Sequence, residues 1–65
     1  MKRFRFFYID EIIINALKRM GKDVSDISKI EPSKQECSAR SQQEVIEFYG
    51  LDKPDVLWYR IEQLP

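Results

Sequence analysis

The side chains best equipped for chemistry are two arginines and two aromatic rings set near opposite ends of the chain. They are Arg5 and Phe7 within R-F-R-F-F-Y-I, and Trp58 and Arg60 within V-L-W-Y-R-I-E-Q. Residues two apart in an extended strand project from the same face. Arg5 therefore stands with Phe7, and Trp58 with Arg60. A guanidinium is a planar, permanently charged fork of donors, and an indole offers a large rigid contact area. Both are enriched at the energetic centres of protein interfaces. Such chemistry recognises a partner and does not make or break bonds. A plainer account has the guanidinium groups stacking on the rings over a solvated surface, or the face pairing with a second copy of the chain.

Bond-making chemistry has little to work with. There is no histidine, so the side chain most often used as a general base near neutral pH is missing. Cys37 has Glu36 beside it and no neighbouring base, so it reads as a small buried apolar residue. The carboxylate pairs Asp10 with Glu11 and Glu44 with Glu47 sit at helix starts or on polar helix faces, where the helix dipole and solubility account for them. One cysteine without histidine cannot assemble a usual zinc site, and no D-x-D-x-D-G calcium loop occurs. Gly21 and Gly50 are isolated helix stops, not a phosphate-cradling loop. The expectation is a protein that is not an enzyme, with no cofactor and no metal.

Sixty-five residues allow one domain, spanning 1–65, near the lower limit for an independent core. Eleven basic residues balance eleven acidic ones, and the signs alternate along the chain. That argues against a polybasic nucleic-acid arm or an acidic tail. A single cysteine cannot close an internal disulfide, so a reducing cytoplasm is the expected compartment. Ile12-Ile13-Ile14 is too short and too close to charge for a membrane span, and Met1-Lys2-Arg3-Phe4 leads into no signal-peptide core. No membrane partner is expected.

The elements that must position the four side chains follow from local patterning. Arg3 to Ile9 reads as a strand with Phe4, Phe6 and Tyr8 on one face and Arg3, Arg5, Phe7 and Ile9 on the other. Asp10 caps a helix over about residues 11–20, whose Ile13, Ala16, Leu17 and Met20 recur at helical spacing before Gly21 stops it. Lys22 to Asp26 is a connection. Ile27 to Glu31 reads as a short strand, although Val24, Ile27 and Ile30 are also spaced for a helical turn. Pro32 then begins a turn, and Gln35 to Arg40 is a second short strand with Cys37 and Ala39 inward. A competing reading starts the second helix at Ser33, because Ser33 with Glu36 has a capping-box spacing. Ser41 to Gly50 is a short helix with a capping box of Ser41 and Glu44, an apolar stripe of Val45, Ile46, Phe48 and Tyr49, and Gly50 as its stop. Val56 to Gln63 is the clearest strand, with Leu57, Tyr59 and Ile61 on one face and Val56, Trp58, Arg60 and Glu62 on the other.

These elements predict an α+β domain: a small antiparallel sheet with two helices packed on one face. The order β-α-β-β-α-β, the ferredoxin-like or split βαβ plan, is favoured, and a three-stranded β-α-β-α-β sheet is the alternative. The first and last strands are then neighbours, and Arg5, Phe7, Trp58 and Arg60 gather on the face without helices.

Such a face on a ferredoxin-like plan resembles the RNA-recognition motif in outline. It departs from that family where bases are stacked, since Gln35 to Arg40 has no aromatic residue and the K/R-G-F-G-F-V-x-F pattern is absent. The run A-R-S-Q-Q-E-V-I-E-F-Y-G-L followed by V-L-W-Y-R-I-E looks like the strand, capped helix and strand unit of many tiny phage and mobile-element proteins. Some of those inhibit host enzymes by docking on them. The likeness covers residues 39–65 and transfers no functional residue.

Three functions are therefore weighed. The favoured one is a non-enzymatic protein-binding module, a phage or mobile-element inhibitor or accessory factor that docks on a larger protein machine through Arg5, Phe7, Trp58 and Arg60. A nucleic-acid module would set Arg3, Arg5, Lys34, Arg40 and Arg60 on phosphates and stack bases on Phe7 or Trp58. A structural homodimer or complex subunit would pair through the sheet face or an open edge.

Overall fold

Of the three strands, the N-terminal one carries large apolar residues on both faces, Phe4, Phe6 and Tyr8 on one and Phe7 and Ile9 beside two arginines on the other, and burial favours such a strand at the centre of a sheet. In the computed structural model, which describes residues 1–65, this run is β1 (Lys2–Asp10) and it occupies that central position. It is followed by α1 (Glu11–Arg19), a single 3-10 turn (Ile27–Lys29), β2 (Ser33–Ala39), α2 (Gln42–Tyr49) and β3 (Val56–Gln63). The three-stranded sheet has the order β2-β1-β3, and both outer strands run antiparallel to β1. The class is α+β, and the first and last strands are neighbours as expected.

The ferredoxin-like plan lacks one strand. Residues 27–31 do not pair with the sheet, because Asp26 caps a helical turn there. Its Oδ1 accepts from the Ser28 backbone N–H at 3.1 Å and from Ser28 Oγ at 2.7 Å. The three-residue spacing of Val24, Ile27 and Ile30 thus outweighs the short β-like run, and Ile30 is buried. The order realised is the three-stranded β-α-β-α-β alternative. Just before the turn, the Asp23 carboxylate accepts first the Ser25 backbone N–H and then its side chain, which lowers its pKa below the usual 3.8.

Residues 33–39 are strand rather than the start of a helix. Pairing with β1 sets Cys37 opposite Phe4, Gln35 opposite Phe6 and Ser33 opposite Tyr8, and this ladder outweighs the local capping pattern of Ser33 and Glu36.

Both helices begin and end at the residues expected to cap them. Asp10 Oδ1 accepts from the Ile13 N–H at 2.9 Å, and Ser41 Oγ accepts from the Glu44 N–H at 3.2 Å. The reciprocal bond of the capping box is displaced by one residue: Glu44 Oε1 accepts from the Arg40 N–H at 3.3 Å and not from Ser41. Gly50 takes the left-handed conformation at φ 63°. The Leu51 N–H then returns to the Ile46 carbonyl at 3.0 Å, which turns the Leu51 side chain into the core. Gly50→Ala should cost about 1–2 kcal/mol through the left-handed backbone alone. The added Cβ would meet only the flexible Lys53 side chain, at 3.1 Å. A urea midpoint equal to that of the parent would contradict this.

The main core joins Phe4 and Phe6 of β1 with Ala39, Val45 and Leu51, and Tyr8, Cys37, Ile46 and Ile61 pack around it. No residue of α1 belongs to this cluster, so α2 is its only helical cover. Instead Ile13 and Leu17 of α1 line a recess with Ile30 and Pro32, while Ile12 is 74% exposed.

One short helix leaves part of the sheet bare. α2 packs against β2 and α1 against β1, and neither helix packs extensively on β3. Leu57 and Tyr59, expected inside, are therefore 48% and 40% exposed. A register shift between Ile9 and Asp10 adds to this at Leu57, because Trp58 pairs with Ile9 and Val56 with Asp10. Phe48 of the expected apolar stripe is 71% exposed, whereas the Tyr49 ring lies 4.6 Å from that of Phe6. No helix is long and apolar enough to cross a membrane.

Candidate functional site

The sheet face away from α2 is assembled by register. Pairing of β1 with β3 sets Phe7 opposite Arg60, Ile9 opposite Trp58 and Arg5 opposite Glu62. On the other flank, β2 sets Glu36 opposite Arg5 and Lys34 opposite Phe7. Directly paired residues of an antiparallel ladder share a face. Arg5, Phe7, Trp58 and Arg60 therefore lie together, at neighbouring positions of adjacent strands.

Their contacts are specific. The Arg60 guanidinium carbon stands 4.7 Å from the centre of the Phe7 ring, a stacked arrangement in which the ring quadrupole attracts the cation. Arg60 Nη2 also lies 2.8 Å from Glu62 Oε1. Glu36 holds two arginines at once: Arg3 Nη2 donates to Oε1 at 3.2 Å and Arg5 Nη2 to Oε2 at 3.3 Å. Arg5 Nε is buried with no partner. Arg60 thus has one ring and one carboxylate as partners, and Arg3 and Arg5 share the carboxylate of Glu36.

Trp58 is 37% exposed. One side of it lines a recess of about 300 Å³ together with Ile9, Ile27, Ile30 and Pro32. The indole thus borders this recess together with the 3-10 turn, stands beside Ile9 across the ladder, and is partly open to solvent. It is not interior.

Sequence reasoning brought the four side chains to this face but missed what holds them. Glu36 and Glu62 occupy face positions in the same alternation that identified Arg5 and Arg60, so the signal was present. The recess beside Trp58 is lined by Ile27 and Ile30, whose helical spacing was the clue. Of the residues considered for phosphate contact, Arg3, Arg5, Lys34 and Arg60 share the face, and Arg40 lies in the exposed link between β2 and α2.

Exposed ion pairs contribute little to stability. Glu36→Gln removes the partner of both Arg3 and Arg5 and should lower stability by less than about 1 kcal/mol, an effect that shrinks with added salt. Urea unfolding at two salt concentrations reads this, and a larger, salt-independent loss would show that the network is structural.

On the opposite side a second recess of about 300 Å³ opens between the end of α2 and the uncovered part of the sheet, lined in part by Tyr8, Gln35, Phe48 and Lys53. Nowhere do three cysteine or carboxylate side chains gather as a metal would require. No family model, curated protein or solved structure matches this chain.

Proposed function

We propose that this chain is a non-enzymatic protein-binding module that docks on a larger protein through Arg5, Phe7, Trp58 and Arg60. The observation that carries this reading is the stack of Arg60 on Phe7 beside a Trp58 that borders an apolar recess and is partly open to solvent. Association costs side-chain entropy. A guanidinium already stacked on a ring and paired with a carboxylate loses less of it. The partner surface would offer an apolar pocket for the indole, flanked by carboxylates or carbonyls for the two guanidinium groups.

In this reading the chain acts as an inhibitor or accessory factor, as small phage and mobile-element proteins do, by covering a working surface of its partner or locking its conformation. A reducing cytoplasm suits the free thiol of Cys37, which is half-buried against the core. Affinity purification of the tagged chain from its native host should recover one protein at fixed stoichiometry. Recovery of nucleic acid alone, or of nothing, would overturn the proposal.

The nucleic-acid reading has one observation in its favour, the shared face of Arg3, Arg5, Lys34 and Arg60. Glu36 and Glu62 stand among them, and three of the four cations are already ion-paired. Phosphate binding would have to displace those carboxylates. It predicts affinity for single strands that falls steeply with salt, which a mobility-shift titration measures directly.

A further inference from the structure

We propose that two copies of this chain pair antiparallel along the outer edge of β3, joining two three-stranded sheets into one of six strands. This goes beyond the docking reading and does not rest on it. The two edges of the sheet differ in kind. The β2 edge is preceded by Pro32 and carries Lys34, Gln35, Glu36 and Ser38, and proline and inward or edge charges are the devices that keep an edge from pairing. The β3 edge keeps its charges, Arg60 and Glu62, in its C-terminal half and ion-paired to each other, and the run Leu57, Trp58 and Tyr59 before them carries none. Its only strand partner is β1, and Leu57, Trp58 and Tyr59 in sequence are all exposed. A row of unpaired backbone donors and acceptors flanked by aromatic side chains is a template for another strand.

The side chains select a second copy and a register. With Tyr59 on the two-fold axis, opposite Tyr59 of the second copy, Trp58 faces Arg60 of that copy and Leu57 faces its Ile61. Between Leu57 and Ile61 each aromatic then meets a cation or its own kind, each aliphatic meets an aliphatic, and no like charges are opposed, while Val56 beyond them faces Glu62. Cross-strand pairs of these types stabilise antiparallel sheets, whereas like charges directly opposite destabilise them. Moving the axis one residue toward the C-terminus opposes Arg60 to Arg60 of the second copy. Moving it one residue the other way opposes Trp58 to Trp58 and Leu57 to Tyr59 and leaves Ile61 outside the ladder. The bulge beside Leu57 re-aims the strand and marks where the pairing ends. The product places two Arg5, Phe7, Trp58 and Arg60 clusters on one continuous face.

Sedimentation equilibrium of the unsubstituted chain should show the mass rising from monomer to dimer, without larger species, as concentration increases. A monomer mass at every concentration up to about 1 mM, the affinity scale of the weakest specific complexes, overturns the proposal. The register is tested in a Cys37→Ala background under mild oxidant. Directly opposed residues fall within disulfide reach, so Tyr59→Cys should form a covalent dimer at least about tenfold faster than Leu57→Cys, whose two copies lie several residues apart. Mixing Leu57→Cys with Ile61→Cys should restore fast cross-linking. Equal rates for the single variants would overturn the register even if the chain dimerises.

Discussion

Phe6→Ala should remove most of the stability of the domain and leave little or no cooperative unfolding transition at room temperature. Phe6 has no exposed surface and sits in the middle of the central strand, between Gln35 of β2 and Ile61 of β3. Its ring is stacked on Tyr8 at 6.0 Å and tilted against Tyr49 at 4.6 Å. Truncating a buried phenylalanine typically costs about 3–5 kcal/mol. A domain of this size has roughly 3–10 kcal/mol to lose, from about 0.05–0.15 kcal/mol per residue. The cavity cannot be refilled easily, because α2 is the only helix over this cluster and no second helix is available to move in. The single tryptophan, Trp58, gives a fluorescence signal for urea unfolding, with far-ultraviolet circular dichroism as a second probe. Phe48→Ala is the control: the same chemical change at an exposed position should cost less than about 0.5 kcal/mol. Comparable losses for the two variants would mean that the core has been placed on the wrong side of α2.

The second large effect concerns binding. Once a partner is in hand, Trp58→Ala and Arg60→Ala should each weaken the complex by at least about 2 kcal/mol, roughly thirtyfold in affinity. Trp58→Ala is ambiguous by itself, since the indole also stands beside the buried Ile9 across the ladder and its loss will lower stability. Arg60→Lys separates the causes. It keeps the charge but loses the planar fork that stacks on Phe7, and at an exposed position it should change stability by less than about 0.5 kcal/mol. Calorimetric titration should show at least tenfold weaker binding for Arg60→Lys with an unchanged urea midpoint. Full affinity in that variant would mean that only net charge matters, and the stacked arrangement would have no role in recognition.

Dimerisation along β3 would change how such measurements are read. If the two clusters share one face, a partner with two matching sites gains avidity without any new contact. Titrations above and below the dimer dissociation constant would then differ in apparent affinity for this chain and agree for a variant held monomeric.

Much of the local architecture was legible in the residues themselves. Asp10, Ser41, Gly21 and Gly50 announce where helices begin and stop, because cap hydrogen bonds and the left-handed backbone are settled within a few residues of chain. Alternation in Arg3 to Ile9 and Val56 to Gln63 placed Arg5, Phe7, Trp58 and Arg60 on one face, because strand geometry leaves side chains no other choice. Residues 27–31 were harder, since a short apolar run is compatible with either period. There the side chain of Asp26 decided for a turn.

What only the tertiary structure could decide was cover and partnership. Leu57, Tyr59 and Phe48 carry the pattern of core residues, yet whether they are buried depends on how far an 8-residue helix extends over the sheet and on α1 contributing nothing to the same cluster. Likewise, the pairing of Glu36 with Arg3 and Arg5 joins positions 33 and 31 residues apart, and it exists only because β2 lies against β1 in one register. Periodicity and capping are short-range properties written into neighbouring residues. Burial and ion pairing are set by which distant segments meet, and that is a property of the assembled fold.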